Sequence, residues 1–206
     1  ARGATLRDAD LEGAMLAETV LEGEDLTNES FAKASLAEAD LWNATLDRTT
    51  FKEAGMRAAR LYDARGKGAT FDAADLTNAR ADGAALVSCS LRDVHAGDSS
   101  WEHADLSNTT FQGASLASAS FERATCAGTT FSEADLKRAR LMKSRLIGAR
   151  FLRADMMEAN CDRADFTGAD LRGANLHAAS LQRVVLADAK LEGAIVSYSL
   201  LEKRPW

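Results

Sequence analysis

Large apolar side chains recur along this chain every five residues, and the register never slips. Counted from Leu6, Leu11 and Leu16, 36 of the 39 positions between 6 and 196 hold Leu, Phe, Met, Cys, Trp or Val, the exceptions being Gly66, Ala81 and Ala96. All eight Phe fall in this register. A second column stands two residues earlier and is Ala in 28 of 39 cases, with Thr49, Cys89, Ser99, Thr109, Thr129 and Ser144 among the rest. A helix would scatter five-residue steps about 140° apart around its axis. A flat strand would throw them onto alternate faces, because five is odd. The pattern predicts a chain that turns a corner every five residues, so that each large residue, here called a centre, points inward from its own side. Four such sides close one coil of twenty residues.

A twenty-residue signal supports that closure. Phe31, Phe51, Phe71, Phe111, Phe131 and Phe151 share one side, interrupted by Leu91, and predict a ladder of stacked rings. The Ala column fits the place where the walls converge and only a small side chain has room. Corners need residues that tolerate positive φ. On the side of Leu26 and Leu106 the last position of each repeat reads Asn28, Arg48, Gly68, Ser88, Asn108, Gly128, Gly148, Gly168 and Asp188, six of nine Gly or Asn, so type II turns are predicted mostly there. The single Pro, at 205, suits a backbone that gives its amides to coil-to-coil hydrogen bonds.

The motifs ADLEG (9–13), ADLWN (39–43), ADLTN (74–78), ADLSN (104–108), ADFTG (164–168) and ANLHA (174–178) resemble the A(D/N)LXX pattern of the pentapeptide repeat family over nearly the whole chain. The resemblance implies an all-β fold, a right-handed quadrilateral β-helix of about ten coils forming one domain over 1–206, with 199–206 as terminal cap or tail. At about 4.8 Å per coil, ten coils make a rod on the order of 48 Å long. Solenoid ends need covering. Val185, Ile195, Tyr198, Leu200, Leu201 and Trp206 are the candidates here, for a self-capping end or for a homodimer through the carboxy end.

The repeat departs from its pattern between 60 and 101, where Gly66, Ala81 and Ala96 shrink three centres and Trp101 enlarges one. Either the core repacks around the indole or the chain bulges to present a binding loop. RGKGAT (65–70) lacks the residue order of a phosphate loop, and the register already explains its glycines. Glu24 and Glu29 occupy Ala-type positions; a buried carboxylate is costly, so they are expected to turn outward or to pair with Lys33, loosening that coil.

Charge and composition narrow the function. A net charge of −6 argues against direct nucleic-acid binding or an anionic membrane surface. No apolar run approaches the roughly 18–20 residues of a membrane span, and the chain opens on Ala1 without a leader-like segment, as a trimmed protein or a piece of a longer one would. A cytoplasmic location is the expectation. Cys89, Cys126 and Cys161 read as apolar fillers, without zinc spacing, and neither metal nor cofactor is expected. Asp98, Ser100 and His103 lie close in sequence but lack an organising feature, so no enzyme is expected.

Outward positions remain for binding a protein partner. Trp42 and Tyr62, one coil apart, and the basic segment 137–153 stand out, the latter with Arg140, Arg145 and Arg150 beside Met142, Ile147, Leu152 and Met157 on four successive sides. Residues 1–103 hold 19 acids and 11 bases, net −8; residues 104–206 hold 12 and 14, net +2. The leading expectation is a non-enzymatic interaction or scaffold module. The resemblance adds a second, a DNA-mimicking protein that binds DNA gyrase and protects it from quinolones or related toxins, and a third, a repeat domain of a larger bacterial secretion-associated protein.

Overall fold

A computed structural model describes residues 11–199. The backbone winds as a β-solenoid in which each residue before a centre bridges, in parallel, the residue twenty positions on, from Met15 with Ser35 to Asn175 with Ile195. Only two stretches among the described residues lengthen into strands, β1 (Arg65–Lys67) and β2 (Ala85–Val87), and they pair in the same step of twenty. The sides are so short because a corner follows every centre. We number them by their first described centres with neighbours on both sides: side 1 carries Phe31, side 2 Leu36, side 3 Leu41 and side 4 Leu46, each followed by the corner of the same number.

Three backbone hydrogen bonds per repeat tie one coil to the next. In the first repeats Leu16 N–H donates to Ser35 O at 2.7 Å, Glu18 N–H to Ala37 O at 2.8 Å, and Ser35 N–H to Ala14 O at 2.9 Å. The corner itself closes with a bond such as Ala14 N–H to Leu11 O, 3.1 Å. One amide is left over in every repeat, that of the residue after the centre.

The Asp or Asn of the A(D/N)LXX motif accepts from that amide: Oδ1 of Asp40 takes Trp42 N–H at 3.1 Å, Asp75 takes Thr77 at 3.0 Å, and Asn175 takes His177 at 3.1 Å. Elsewhere a carboxylate one coil back does the same work, as Asp72 does for Arg92 N–H at 2.9 Å and Asp162 for Gln182 N–H at 2.9 Å. This is the physical reason for the acidic or amide residue of the motif. It satisfies a donor that the coil-to-coil ladder cannot reach.

Positive φ was predicted mostly at corner 4, and the structure corrects this. It occurs at the second corner residue of every repeat from Gly13 to Tyr198, in 28 non-glycine residues and ten glycines. The closing bond and the left-handed second residue together define a type II turn on all four sides. An L-residue in that conformation costs on the order of 1 kcal/mol. The corner amide's bond to the next coil offsets the cost, so Arg, Glu and Lys are accepted there alongside Gly and Asn.

Centres and the Ala column fill the interior. The Phe ladder forms as two stacks: Phe31, Phe51 and Phe71 at centroid spacings of 5.2 and 4.9 Å, then Phe111, Phe131 and Phe151 at 5.3 and 5.0 Å, with interplanar angles no larger than 14°. Hydroxyls in the Ala column are buried but satisfied, Thr129 donating to Leu106 O at 2.7 Å and Ser144 to Leu141 O at 2.6 Å. No buried side-chain nitrogen or oxygen among the described residues lacks a partner.

Between 60 and 101 the core repacks, and no loop leaves the register. Trp101 is buried on side 3, stacked 6.3 Å from Phe121, with Ala81 below it in the column. Its Nε1–H donates to Ser99 Oγ at 2.7 Å, and Ser99 passes the bond to Ala96 O at 2.6 Å. Gly66 is hemmed in between coils. A Cβ there would stand 3.1 Å from Leu46 Cβ and 3.2 Å from both Leu46 O and Leu86 Cδ2. The Cys89 thiol and Thr109 hydroxyl donate to Gly66 O and Leu86 O, at 3.4 and 2.6 Å, where β1 and β2 straighten the chain.

The expectation for Glu24 and Glu29 is partly corrected. Both are half-exposed, so neither buries a carboxylate, and Lys33 pairs instead with Glu12 at 3.2 Å. They lie near the amino end, where Ala14 and Leu16 are also only partly buried.

Candidate functional site

Because the interior is filled, chemistry has to be carried by the three outward positions of each repeat, and these stack into columns one coil apart. Corner 3 has the most varied pair of columns. Its first position reads Glu22, Trp42, Tyr62, Asp82, Glu102, Glu122, Met142, Asp162, Gln182; its second reads Gly23, Asn43, Asp63, Gly83, His103, Arg123, Lys143, Arg163, Arg183. One edge of the solenoid therefore passes from aromatic to acidic to basic.

At the amino end of this edge a 430 Å³ groove is lined by Glu22, Trp42, Asn43, Asp63, Arg65, Gly83 and Ala85. Trp42 is 49% exposed, and its Nε1–H reaches Asp63 Oδ2 at 3.4 Å. Tyr62 is half-buried, with the Arg80 guanidinium 5.9 Å from its ring centroid. The two aromatics thus share the edge, one open and one covered. Arg65 and Ala85, which line the groove, open β1 and β2.

Each carboxylate of the acidic stretch is tied to the next coil. Ser100 donates to Asp82, Ser120 to Glu102 at 2.8 Å, and Arg140 pairs with Glu122 at 3.1 Å. Ser100 therefore faces Asp82 and not His103, and Asp98, Ser100 and His103 form no relay.

The basic segment 137–153 does not form one patch. Arg140, Arg145 and Arg150 lie on sides 3, 4 and 1, all exposed. Arg140 bonds Glu122, whereas Arg145 and Arg150 make no ion pair among the described residues. Ile147 is 38% exposed at corner 4, and Leu152 is half-buried at corner 1. The clustered cations are instead Arg123, Lys143, Arg163 and Arg183 on corner 3, which a linear reading separates by twenty residues each.

At the carboxy end Val185, Ile195 and Tyr198 are 46, 51 and 81% exposed. A 540 Å³ recess lies on the last described coil among Leu186, Leu191 and Val196. His177 shares a 2.8 Å hydrogen bond with Ser197 and meets the Tyr198 ring edge-on. Leu200, Leu201 and Trp206 lie outside the described residues.

Burial pushes the Cys89 thiol up to about 11 and that of Cys161 to about 12. Burial likewise raises Cys126. Hydrogen bonds from the Arg172 side chain hold Asp170 below the ordinary carboxylate value. Among the described residues no group of three or more His, Cys, Asp or Glu could hold a metal ion, and no helix is long and apolar enough to cross a membrane.

Four short sides, a filled interior and columns repeating every twenty residues define a β-solenoid repeat protein. Family models described as pentapeptide repeats match residues 30–65, 126–160, 134–173 and 159–197, and a second such model matches 96–140. The chain belongs to the pentapeptide repeat family. Among solved structures it is similar to HetL, a pentapeptide repeat protein involved in heterocyst differentiation regulation from the cyanobacterium Nostoc sp. strain PCC 7120, at 27% identity over 94% of this chain and 90% of that one, with a TM-score of 0.49. A trypsin-treated form of QnrB1, a plasmid-mediated fluoroquinolone resistance protein, is 23% identical over 85% and 87% of the two chains, with a TM-score of 0.48. A pentapeptide repeat protein of the Arabidopsis thaliana thylakoid lumen is 19% identical over 75% and 66%, with a TM-score of 0.32. No curated protein matches the chain.

Proposed function

We propose that this protein is a non-enzymatic interaction module, a rigid solenoid that offers its third corner to a protein partner. The observation that carries this reading is the half-exposed Trp42 over the 430 Å³ groove, held by Asp63 and bordered by β1 and β2. Trp, Tyr and Arg dominate the energetics of protein interfaces, and an aromatic already fixed by its neighbours loses little freedom on binding. The solenoid supplies the rigidity, since each corner is hydrogen-bonded to the next coil. The right-handed winding and the total of about ten coils implied by the family pattern belong to the same reading. So does a carboxy end that is either self-capped or paired with a second copy through Val185, Ile195 and Tyr198.

A second reading, mimicry of duplex DNA toward DNA gyrase, is favoured by one observation: the acidic run Asp82, Glu102 and Glu122 along the same corner. Both readings are tested with immobilised protein and a lysate of the source organism, beside a gyrase supercoiling assay with and without a quinolone. A stoichiometric protein retained by the native chain and lost with Trp42→Glu supports the first. Altered supercoiling that responds to Glu102→Lys with Glu122→Lys supports the second. No retained protein and no effect on gyrase would sink both.

A further inference from the structure

The acidic and aromatic parts of corner 3 serve the readings above, but its basic part has no role in them. Arg123, Arg163 and Arg183 are exposed and Lys143 is half-buried, one per coil on consecutive coils. Arg123 has only a distant carboxylate neighbour, Glu122 at 3.9 Å. Lys143, Arg163 and Arg183 make no ion pair among the described residues. The carboxylate set between them, Asp162, is turned to the backbone: it accepts from Ser180 Oγ at 2.6 Å and from Gln182 N–H at 2.9 Å. A 330 Å³ groove runs along the column, lined by Met142, Lys143, Asp162, Arg163, Gln182 and Arg183. Like charges stacked at coil spacing repel one another, and the nearby carboxylates of Glu122 and Asp162 are too few to balance the four cations.

We infer that this basic column docks the acidic face of an α-helix from a partner protein. The inference rests on the interaction-module reading and assigns it a second contact. Spacing selects the occupant. Rungs one coil apart repeat at about 4.8 Å. An α-helix presents one face every turn, about 5.4 Å, so four rungs accumulate a mismatch of about 1.8 Å, within reach of splayed Arg and Lys side chains. An extended strand repeats a face about every 6.8 Å and falls out of step by about 6 Å over the same rungs. Met142 adds one apolar side chain to the lining, which suits a helix with Leu or Ala beside its carboxylates.

The test uses the full chain and a labelled, Ala-based helical peptide of about 18 residues with Glu at i, i+4, i+7 and i+11. Companion probes are the same composition broken by a central Pro, a short duplex DNA, and vesicles containing phosphatidylserine. The helical peptide is expected to bind best, and to weaken about tenfold when Arg163→Glu is combined with Arg183→Glu. The milder pair Arg163→Gln with Arg183→Gln is expected to lie between, guarding against a folding effect. The charge-matched pair Lys52→Glu with Arg92→Glu, at corner 1, should leave binding within about twofold, because screening limits its reach to about 10 Å at 0.1 M salt. Equal binding of the Pro-broken peptide, tighter binding of DNA or vesicles, or no binding of the helical peptide overturns the inference. Capture of a partner through Trp42 is a separate measurement, so either result can fail without the other.

Discussion

Phe131 sits at the middle of the second ring stack, and truncating it tests whether the interior or the backbone ladder holds the coils together. It is fully buried, stacked on Phe111 at 5.3 Å and Phe151 at 5.0 Å, and meets Phe121 edge-on at 5.4 Å. Phe-to-Ala changes in packed cores cost about 3–5 kcal/mol. Each aromatic pair adds about 0.5–1.5 kcal/mol beyond burial, and three are lost here. The hydrogen-bonded coils above and below cannot collapse into the gap, so Phe131→Ala is expected near or above the top of the 3–5 range. Phe31→Ala breaks one stack, with Phe51 at 5.2 Å, and should cost less, about 3 kcal/mol. Guanidinium unfolding gives the totals; amide hydrogen exchange gives the distribution. In a quasi-one-dimensional array the damage stays near its source, so protection should fall around residues 111–151 and persist toward residue 31. A loss under about 2 kcal/mol, or deprotection spread evenly along the solenoid, would refute the view that centres couple adjacent coils.

Other perturbations probe single features. Ser99→Ala strands the buried Trp101 Nε1–H and should cost about 1–3 kcal/mol in unfolding free energy, with a change in indole fluorescence. Gly66→Ala forces a methyl into contacts of 3.1–3.2 Å and should cost about 1–3 kcal/mol by the same measurement; an unchanged midpoint would show that Leu46 and Leu86 yield freely. Ala58→Gly, at φ 53°, should relieve strain and stabilise by up to about 1 kcal/mol. The cysteines set a pH dependence. The unfolded thiols ionise near 9.0 while Cys89 keeps its proton to about 11 and Cys161 to about 12. Above pH 9.0 the unfolded chain therefore binds fewer protons than the folded one, and stability should fall as pH rises from 9 toward 12. Cys161→Ala should make that fall shallower, measured as the slope of unfolding free energy against pH.

What the sequence makes legible is what the interior selects. A centre must be large and a wall residue small, so Leu, Phe and Ala mark the register, and the side shared by Phe31, Phe51 and Phe71 follows from counting. Corners are less legible. Arg48, Glu53 and Lys143 all hold positive φ, because a hydrogen bond to the next coil outweighs a modest backbone cost and no single residue type is demanded. The motif's Asp and Asn could have been understood from sequence by asking which amide each coil leaves unpaired. The basic column was hidden for another reason. Arg140, Arg145 and Arg150 look like a cluster when read along the chain, yet they face three directions, whereas Arg163 and Arg183 look isolated and are neighbours. Glu24 and Glu29 break the Ala column without burying a carboxylate, in a stretch where Ala14 and Leu16 are also only partly buried.

The unbroken step of twenty turns the solenoid into a graduated ruler. Moving from Trp42 to Lys143 means climbing five coils, about 24 Å at 4.8 Å each. Inserting or removing one whole coil between them would shift that interval by a single graduation while leaving each residue on its own face. A partner that grips the aromatic groove and the basic column together would read such a change as a mismatch in length. Change in the family can therefore alter spacing without altering chemistry, one coil at a time.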